Sequence, residues 1–139
     1  DGSLKMGKSE GNAIYLIDPP EIIRKKVMKA KTDAGPTQAN QEKSQEIQNL
    51  FTIMQHVSKP ETLHFFESTY ADCSIRYGDF KKQLADDIIA FCNPLRERIL
   101  DLSEKDSYIE EIMNKGAEKA RQSARKTIAE VRQIIGFRS

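Results

Sequence analysis

The stretch DFKKQLADDIIAFCNPLRERILDL, residues 79–102, decides the fold class. Phe80, Leu84, Ile88, Phe91, Leu95, Ile99 and Leu102 recur in steps of three and four, which sets them along one side of an α-helix. Many of the intervening residues are charged, as on a helix with one face in a core and the other in water. Pro94 lies inside the pattern. It has no amide hydrogen and its ring meets the carbonyl of the preceding turn, so it is expected to kink or split the helix.

Working back toward the N-terminus, Ser58-Lys59-Pro60-Glu61 has the Ser-x-x-Glu spacing of a capping box and predicts a helix lined by Leu63, Phe66 and Tyr70. A helix from Ser44 places Ile47, Leu50, Phe51, Met54 and Val57 on one face. Thr32 to Thr37 contains Gly35-Pro36 and breaks the chain, and the polar run to Lys43 is a connecting loop. Before it, Asp18 is expected to cap a helix with Pro19 at its first position, reaching about Lys31, with Ile22, Ile23, Val27 and Met28 apolar and Arg24, Lys25, Lys26 and Lys29 opposite. Ala13 to Ile17 reads as a short strand or extended segment, and Asp1 to Asn12, with three Gly, as a loop.

Toward the C-terminus, a last helical region begins near Ser103 or Asp106, with Tyr108, Ile109, Ile112 and Met113, and Gly116 is expected to be a joint. Beyond it, Ala117, Ala120, Ala124, Ile128, Val131 and Ile135 form an expected core face that the alanines let approach a neighbour closely, and Gly136 is placed to cap the C-terminus. The fold class is therefore mainly α: five or six amphipathic helices in a bundle-like domain, preceded by a loop and a short extended segment.

The 139 residues suit one domain with an appendage. No apolar run of about 18 residues and no charged-then-apolar leader occurs, so the chain reads as soluble and cytosolic, with no membrane partner. Cys73 and Cys92 lack CxxC pairing and read as small apolar core residues, the alternative being a single disulfide. With two His and no ligand spacing, no protein-bound metal is expected. The net charge of +1 is unevenly spread. Residues 1–36 carry seven Lys/Arg against five Asp/Glu, residues 37–113 eight against fourteen, and residues 114–139 seven against two. A basic beginning and a strongly basic end around an acidic middle suit phosphate contacts at one end and nucleic acid at the other. Mixed charge on solvated helices accounts for the middle and less well for the end.

Gly2 to Ser9 fits the pattern G-x-x-x-x-G-K-S of a P-loop. That device needs a buried strand before it and a helix opening at the Lys-Ser, so that backbone donors surround the phosphates. Glu10-Gly11-Asn12 and a β-prone run follow instead, so the P-loop reading is set aside. Lys5-Met6-Gly7-Lys8-Ser9 more closely resembles the KMSKS loop of class I aminoacyl-tRNA synthetases, with Gly7 in place of the first Ser. The resemblance continues through Leu16-Ile17-Asp18, Ala30 to Pro36, Asn49-Leu50-Phe51, Arg76 to Lys81, and Gly116-Ala117-Glu118-Lys119-Ala120 on to Ile135-Gly136-Phe137, in the order and spacing of bacterial-type tryptophanyl-tRNA synthetases.

The resemblance implies a division into residues 1–17, the KMSKS-type loop and the end of the catalytic fold, and residues 18–139, an all-helical anticodon-binding domain. It implies that the Rossmann-type catalytic half, with its HIGH signature and tryptophan pocket, lies outside this sequence, so that the isolated chain is inactive. The full-length enzyme would activate tryptophan with ATP, bound with Mg, charge tRNA(Trp), and act as a cytoplasmic homodimer. Lys5 and Lys8 would be the catalytic cations, with Met6, Gly7 and Ser9 completing the ATP-binding loop. Ammonium groups aimed at a departing pyrophosphate stabilise charge that develops in the transition state. Gly7 would give the loop backbone freedom. Lys119, Arg121, Arg125, Lys126 and Arg132 form a basic surface, expected opposite the Ala/Ile stripe, that would contact tRNA phosphates. The alternatives are a free-standing helical tRNA-binding module derived from a synthetase, or a tyrosine-specific relative sharing the loop chemistry.

Overall fold

The computed structural model describes residues 6–137. Five α-helices follow one another: α1 (Pro20–Met28), α2 (Gln45–Val57), α3 (Pro60–Ala71), α4 (Tyr77–Ser103) and α5 (Asp106–Ile134). Among the described residues there is no strand. Ala13 to Tyr15 is irregular backbone that closes into a turn at Asp18, whose N–H donates to the Tyr15 carbonyl at 3.0 Å. No helix among the described residues is long and apolar enough to cross a membrane. The chain divides into two compact units, one ending at Glu97 and the other beginning at Arg98.

The first unit is built on the stripes that the apolar spacing marks out. Ile23 and Val27 of α1, Ile47, Leu50, Phe51 and Met54 of α2, Phe66 and Tyr70 of α3, and Phe80, Leu84, Ile88 and Cys92 of α4 are buried together. Its centre is aromatic. Phe51 stacks on Phe80 with ring centroids 4.7 Å apart, and Phe66 meets Phe80 edge-on at 5.1 Å, geometries favoured by the ring quadrupoles. Lys43 lies with its ammonium over the rings of Phe51 and Tyr70 and pairs with Glu67 at 2.6 Å, so the cation is held by π-faces on one side and a carboxylate on the other.

Several local expectations change for identifiable reasons. α1 starts one residue later than expected, with Pro20 in the first turn and Pro19 at the cap, and Asp18 makes no capping bond. Ser58 and Glu61 do not form a capping box. With Pro60 opening α3, Lys59 becomes the cap residue and Ser58 belongs to the end of α2, one position too early to reach the free amides. The Ser58 hydroxyl is instead buried without a hydrogen-bond partner among the described residues. α4 runs through Pro94 without a break, and its last buried residue is Cys92, so the proline falls just beyond the packed stretch that holds the helix. Both cysteines are free, Cys92 buried as expected and Cys73 exposed.

Cys73 has φ 63° because it closes α3. Its N–H reaches the Tyr70 carbonyl at 3.2 Å and the Ser74 N–H reaches the Thr69 carbonyl at 2.9 Å, the paired bonds of a Schellman motif in which glycine is the usual residue.

In the second unit, α5 passes through Gly116 without a joint. Good helix formers flank that glycine and Lys115 pairs with Glu111 one turn earlier, which offsets the roughly 1 kcal/mol that a mid-helix glycine costs. The expected core face is not buried: α5 has no buried residue, and Ile128, Val131 and Ile135 are exposed. Gly136 does close the helix, with φ 75°, the Phe137 N–H on the Arg132 carbonyl at 2.8 Å and its own N–H on the Gln133 carbonyl at 3.3 Å.

Candidate functional site

Lys5 lies outside the described residues. Of the remaining loop, Met6, Lys8 and Ser9 are exposed and Gly7 is half-buried. The Gly7 N–H donates to Asn12 Oδ1 at 2.9 Å, and the Gly11 N–H points to the Lys8 carbonyl at 3.5 Å. Gly11, with φ 63°, supplies the left-handed turn that brings these groups together, a conformation with little steric penalty only for glycine.

Residues 13–18 are anchored to α1 and α4. Ala13 is buried, and its carbonyl accepts the Lys26 ammonium at 2.7 Å. Lys26 also pairs with Asp18 and lies over the Tyr15 ring, 4.9 Å from its centroid. Asp18 in turn accepts the Tyr15 N–H at 2.9 Å. Burial alone would raise the Asp18 pKa, but the bonds from Lys26 and Tyr15 outweigh it and hold the carboxyl below its ordinary value. From α4, Arg96 Nε donates to the Ile17 carbonyl at 3.2 Å. The lysine-rich face expected of α1 is thus divided: Lys26 turns inward onto the loop's stem, whereas Lys25 and Lys29 are exposed.

Loop, stem, α1, α2 and α4 enclose a cleft of about 560 Å³. Met6, Gly11 and Asn12 line its loop side, Ile14, Leu50, Ile53 and Ile88 its apolar floor, and Lys26, Lys29, Lys31 and Glu46 are among its other lining residues. Two polar contacts, one partly buried and one exposed, tie the segment between α1 and α2 to α4. Lys81 of α4 donates to the Ala30 carbonyl at 2.6 Å, and burial pushes its pKa down. Asp33 accepts Ser44 Oγ and Tyr77 Oη, each at 2.6 Å, and the Gly35 N–H at 2.8 Å. Burial works to raise the Asp33 pKa and these three bonds lower it, with a net lowering; burial and the bond to Asp33 push the Tyr77 pKa up. Sequence spacing gave no sign of the Tyr77–Asp33 and Lys81–Ala30 contacts, whose members lie 44 and 51 residues apart, or of Lys26 turning back from what looked like a solvent face.

The five basic residues of α5 are all exposed. At about 100° per residue, Arg121, Arg125 and Arg132 fall within about 40° of one another, and Lys119 and Lys126 within about 20°. The two lines are separated by about 130°, and the arginines flank the Ala/Ile stripe while the lysines lie nearly opposite it. The expected single basic surface opposite the stripe is therefore two lines. Arg121 also pairs with Glu118 at 4.0 Å, which leaves it partly engaged within the helix. No group of three or more metal-ligating side chains occurs among the described residues.

The loop, its pinned stem and the helical unit behind it correspond to a class of protein. The model of the family described as tRNA synthetases class I (W and Y) matches residues 1–93, and the chain belongs to that family. Within it the likeness is to the bacterial tryptophanyl type. A tryptophan–tRNA ligase of Porphyromonas gingivalis is 56% identical over 138 residues, which cover 99% of this chain and 42% of that protein. The corresponding ligase of Helicobacter pylori is 39% identical over 99% of this chain and 41% of its own length. Among solved structures, the tryptophanyl-tRNA synthetase of Campylobacter jejuni, complexed with ADP and tryptophan, shares 26% identity at a TM-score of 0.73, covering 95% of this chain and 41% of that one. The chain thus spans about 42% of the length of the curated relative from Porphyromonas gingivalis.

Proposed function

We propose that this chain is the C-terminal part of a tryptophan–tRNA ligase, supplying the ATP-phosphate loop and the helices that hold the anticodon arm of tRNA(Trp). The observation that carries the reading is the collinear match of 99% of the chain to a tryptophan–tRNA ligase at 56% identity. Residues 1–17 then close the catalytic fold and residues 18–139 are the anticodon-binding domain. The Rossmann-type half, with the tryptophan pocket and the surface of a homodimer, lies in the part of the relatives that this chain does not match, and the isolated chain is inactive. The unburied apolar stripe of α5, with Ile128, Val131 and Ile135 exposed, supports a further packing surface in the complete cytoplasmic enzyme.

In this reading Lys8 and Lys5 meet the phosphates of ATP, a substrate that arrives with Mg. The exposure of Lys8 fits that role. As tryptophan's carboxylate attacks the α-phosphorus, charge builds on the departing pyrophosphate, and a cation placed against it lowers the barrier more than it tightens ground-state binding. Closing a glycine-containing loop would bring that cation into place only when ATP is bound. The lines of cations on α5 supply sequence-independent phosphate contacts to tRNA.

The test is a chimera in which the unmatched first part of the Porphyromonas gingivalis ligase is joined to this chain. It should show tryptophan-dependent, tyrosine-independent ATP–pyrophosphate exchange, while this chain alone shows none. Lys8→Ala should lower the chimera's rate by about 100-fold, the usual scale for one charge-stabilising contact. A folded chimera without exchange, or exchange that Lys8→Ala leaves intact, would sink the reading.

A further inference from the structure

We propose that Lys26 is the positioning residue of the phosphate loop: its ammonium pins the stem at residues 13–18, so that rearrangement is confined to residues 6–12 and Lys8 is presented from a fixed base. The inference rests on the reading of Lys8 as a phosphate contact and adds a residue that touches no phosphate itself.

Three observations carry it. Lys26 engages the stem at three points, the Ala13 carbonyl at 2.7 Å, the Asp18 carboxylate and the face of Tyr15. Each satisfies a different demand: a buried backbone acceptor, a carboxylate whose side chain is only 13% exposed, and an aromatic ring otherwise half in water. Asp18 passes the restraint back into the backbone by accepting the Tyr15 N–H at 2.9 Å, while its own N–H closes the same turn on the Tyr15 carbonyl. Upstream, the Gly7 N–H donates to Asn12 Oδ1 at 2.9 Å and the Gly11 N–H meets the Lys8 carbonyl at 3.5 Å, contacts made within the loop itself rather than to a helix.

A loop that carries a catalytic cation needs such a base. An ammonium displaced by about 1 Å from its productive position loses on the order of 100-fold in rate, so freedom in the stem would be as damaging as loss of the charge. Lys26 is suited to hold it because one compact ammonium has three donor hydrogens that can be shared among a carbonyl, a carboxylate and a ring face.

The experiment uses the 139-residue chain and two readouts, with inorganic pyrophosphate as the probe. In amide hydrogen exchange, Lys26→Met should speed exchange at Tyr15 and Asp18 by about tenfold or more while amides of Phe51 and Leu84 keep their protection; Lys26→Arg should restore much of it. Asp18→Asn is the second variant should Lys26→Met fail to fold, and should release the Tyr15 amide alone. In pyrophosphate titration, Gly7 and Lys8 amide shifts should mark binding that Lys26→Met weakens about 3- to 10-fold. Unchanged protection at Tyr15 and Asp18, or equal loss throughout α2 and α4, would overturn the anchor. Pyrophosphate binding that is equal in the parent chain and Lys26→Met would overturn the positioning role. A parent chain with protected stem amides and no pyrophosphate response would reject the phosphate reading and leave the anchor standing.

Discussion

Replacing Phe80 by alanine probes the centre of the first unit most directly. Phe80 is completely buried, stacked 4.7 Å from Phe51 and edge-on to Phe66 at 5.1 Å. Phe→Ala in a packed core costs about 3–5 kcal/mol, combining lost transfer energy with the cavity left behind. Two aromatic pairs, each worth about 0.5–1.5 kcal/mol beyond burial, place this site toward the upper end. A unit of this size has about 5–15 kcal/mol of stability, so the variant should lose roughly a third to most of it. Phe65, next to Phe66 on α3, is 59% exposed, and Phe65→Ala should change stability by less than about 0.5 kcal/mol. Urea unfolding followed by tyrosine fluorescence measures both. With a slope of about 1–3 kcal/mol per molar urea, Phe80→Ala should move the midpoint down by about 1–5 M without altering the slope. A shift below about 0.5 M, or an equal shift in Phe65→Ala, would show that the aromatic cluster is not what holds the unit together.

Three further outcomes follow from single features. Cys73→Gly should stabilise the chain by about 0.5–1 kcal/mol in the same urea assay, because glycine occupies φ 63° without the clash a Cβ brings; unchanged or lower stability would contradict the Schellman closure of α3. Asp18 is held below its ordinary 3.8, so the folded state keeps it ionised at pH values where the unfolded chain already binds the proton. Its stabilising contribution is fully present above 3.8 and is lost as the pH falls through the lower folded value; Asp18→Asn should flatten that part of the acid titration of the urea midpoint, and a parallel titration would count against the Lys26 pairing. In filter binding to tRNA(Trp), Arg121→Ala, Arg125→Ala and Arg132→Ala combined should reduce the slope of log affinity against log salt by about 2–3, whereas Lys119→Ala with Lys126→Ala, on the other line, should change it by less than about 1. Equal effects from both sets would mean that RNA does not approach α5 from the arginine side.

The parts of the fold that could be read from the sequence are those written in apolar spacing. Leu50, Phe51 and Met54 of α2 and Phe80, Leu84 and Ile88 of α4 are where their steps of three and four place them, because a helix with one wet face must bury the other somewhere. The same rule failed on α5, and the reason is physical. Periodicity marks which face of a helix is apolar but carries no information about whether a partner covers it, so Ile128 and Val131 look like core in the sequence and are exposed in the structure. The cap expected for α3 failed for a narrower reason: the Ser58 to Glu61 spacing was correct, but Pro60 fixed the helix start one residue too late for Ser58 to serve.

The polar contacts that shape the site were the least legible, and this follows from what a charged residue can do. A lysine on a mixed face is equally at home in water or folded back onto a carbonyl, and local sequence does not separate these fates. Lys26 and Lys81 both took the second course, one closing on Ala13 and Asp18, the other on Ala30, 51 residues away. Each satisfies a backbone carbonyl beyond the reach of a helix or strand ladder, the kind of acceptor that becomes costly when buried alone. The proposed phosphate contact at Lys8 comes from five residues of sequence, whereas the base proposed to aim it depends on contacts that only the folded chain creates. The motif is therefore local in sequence, and the stem behind it rests on α1 and α4.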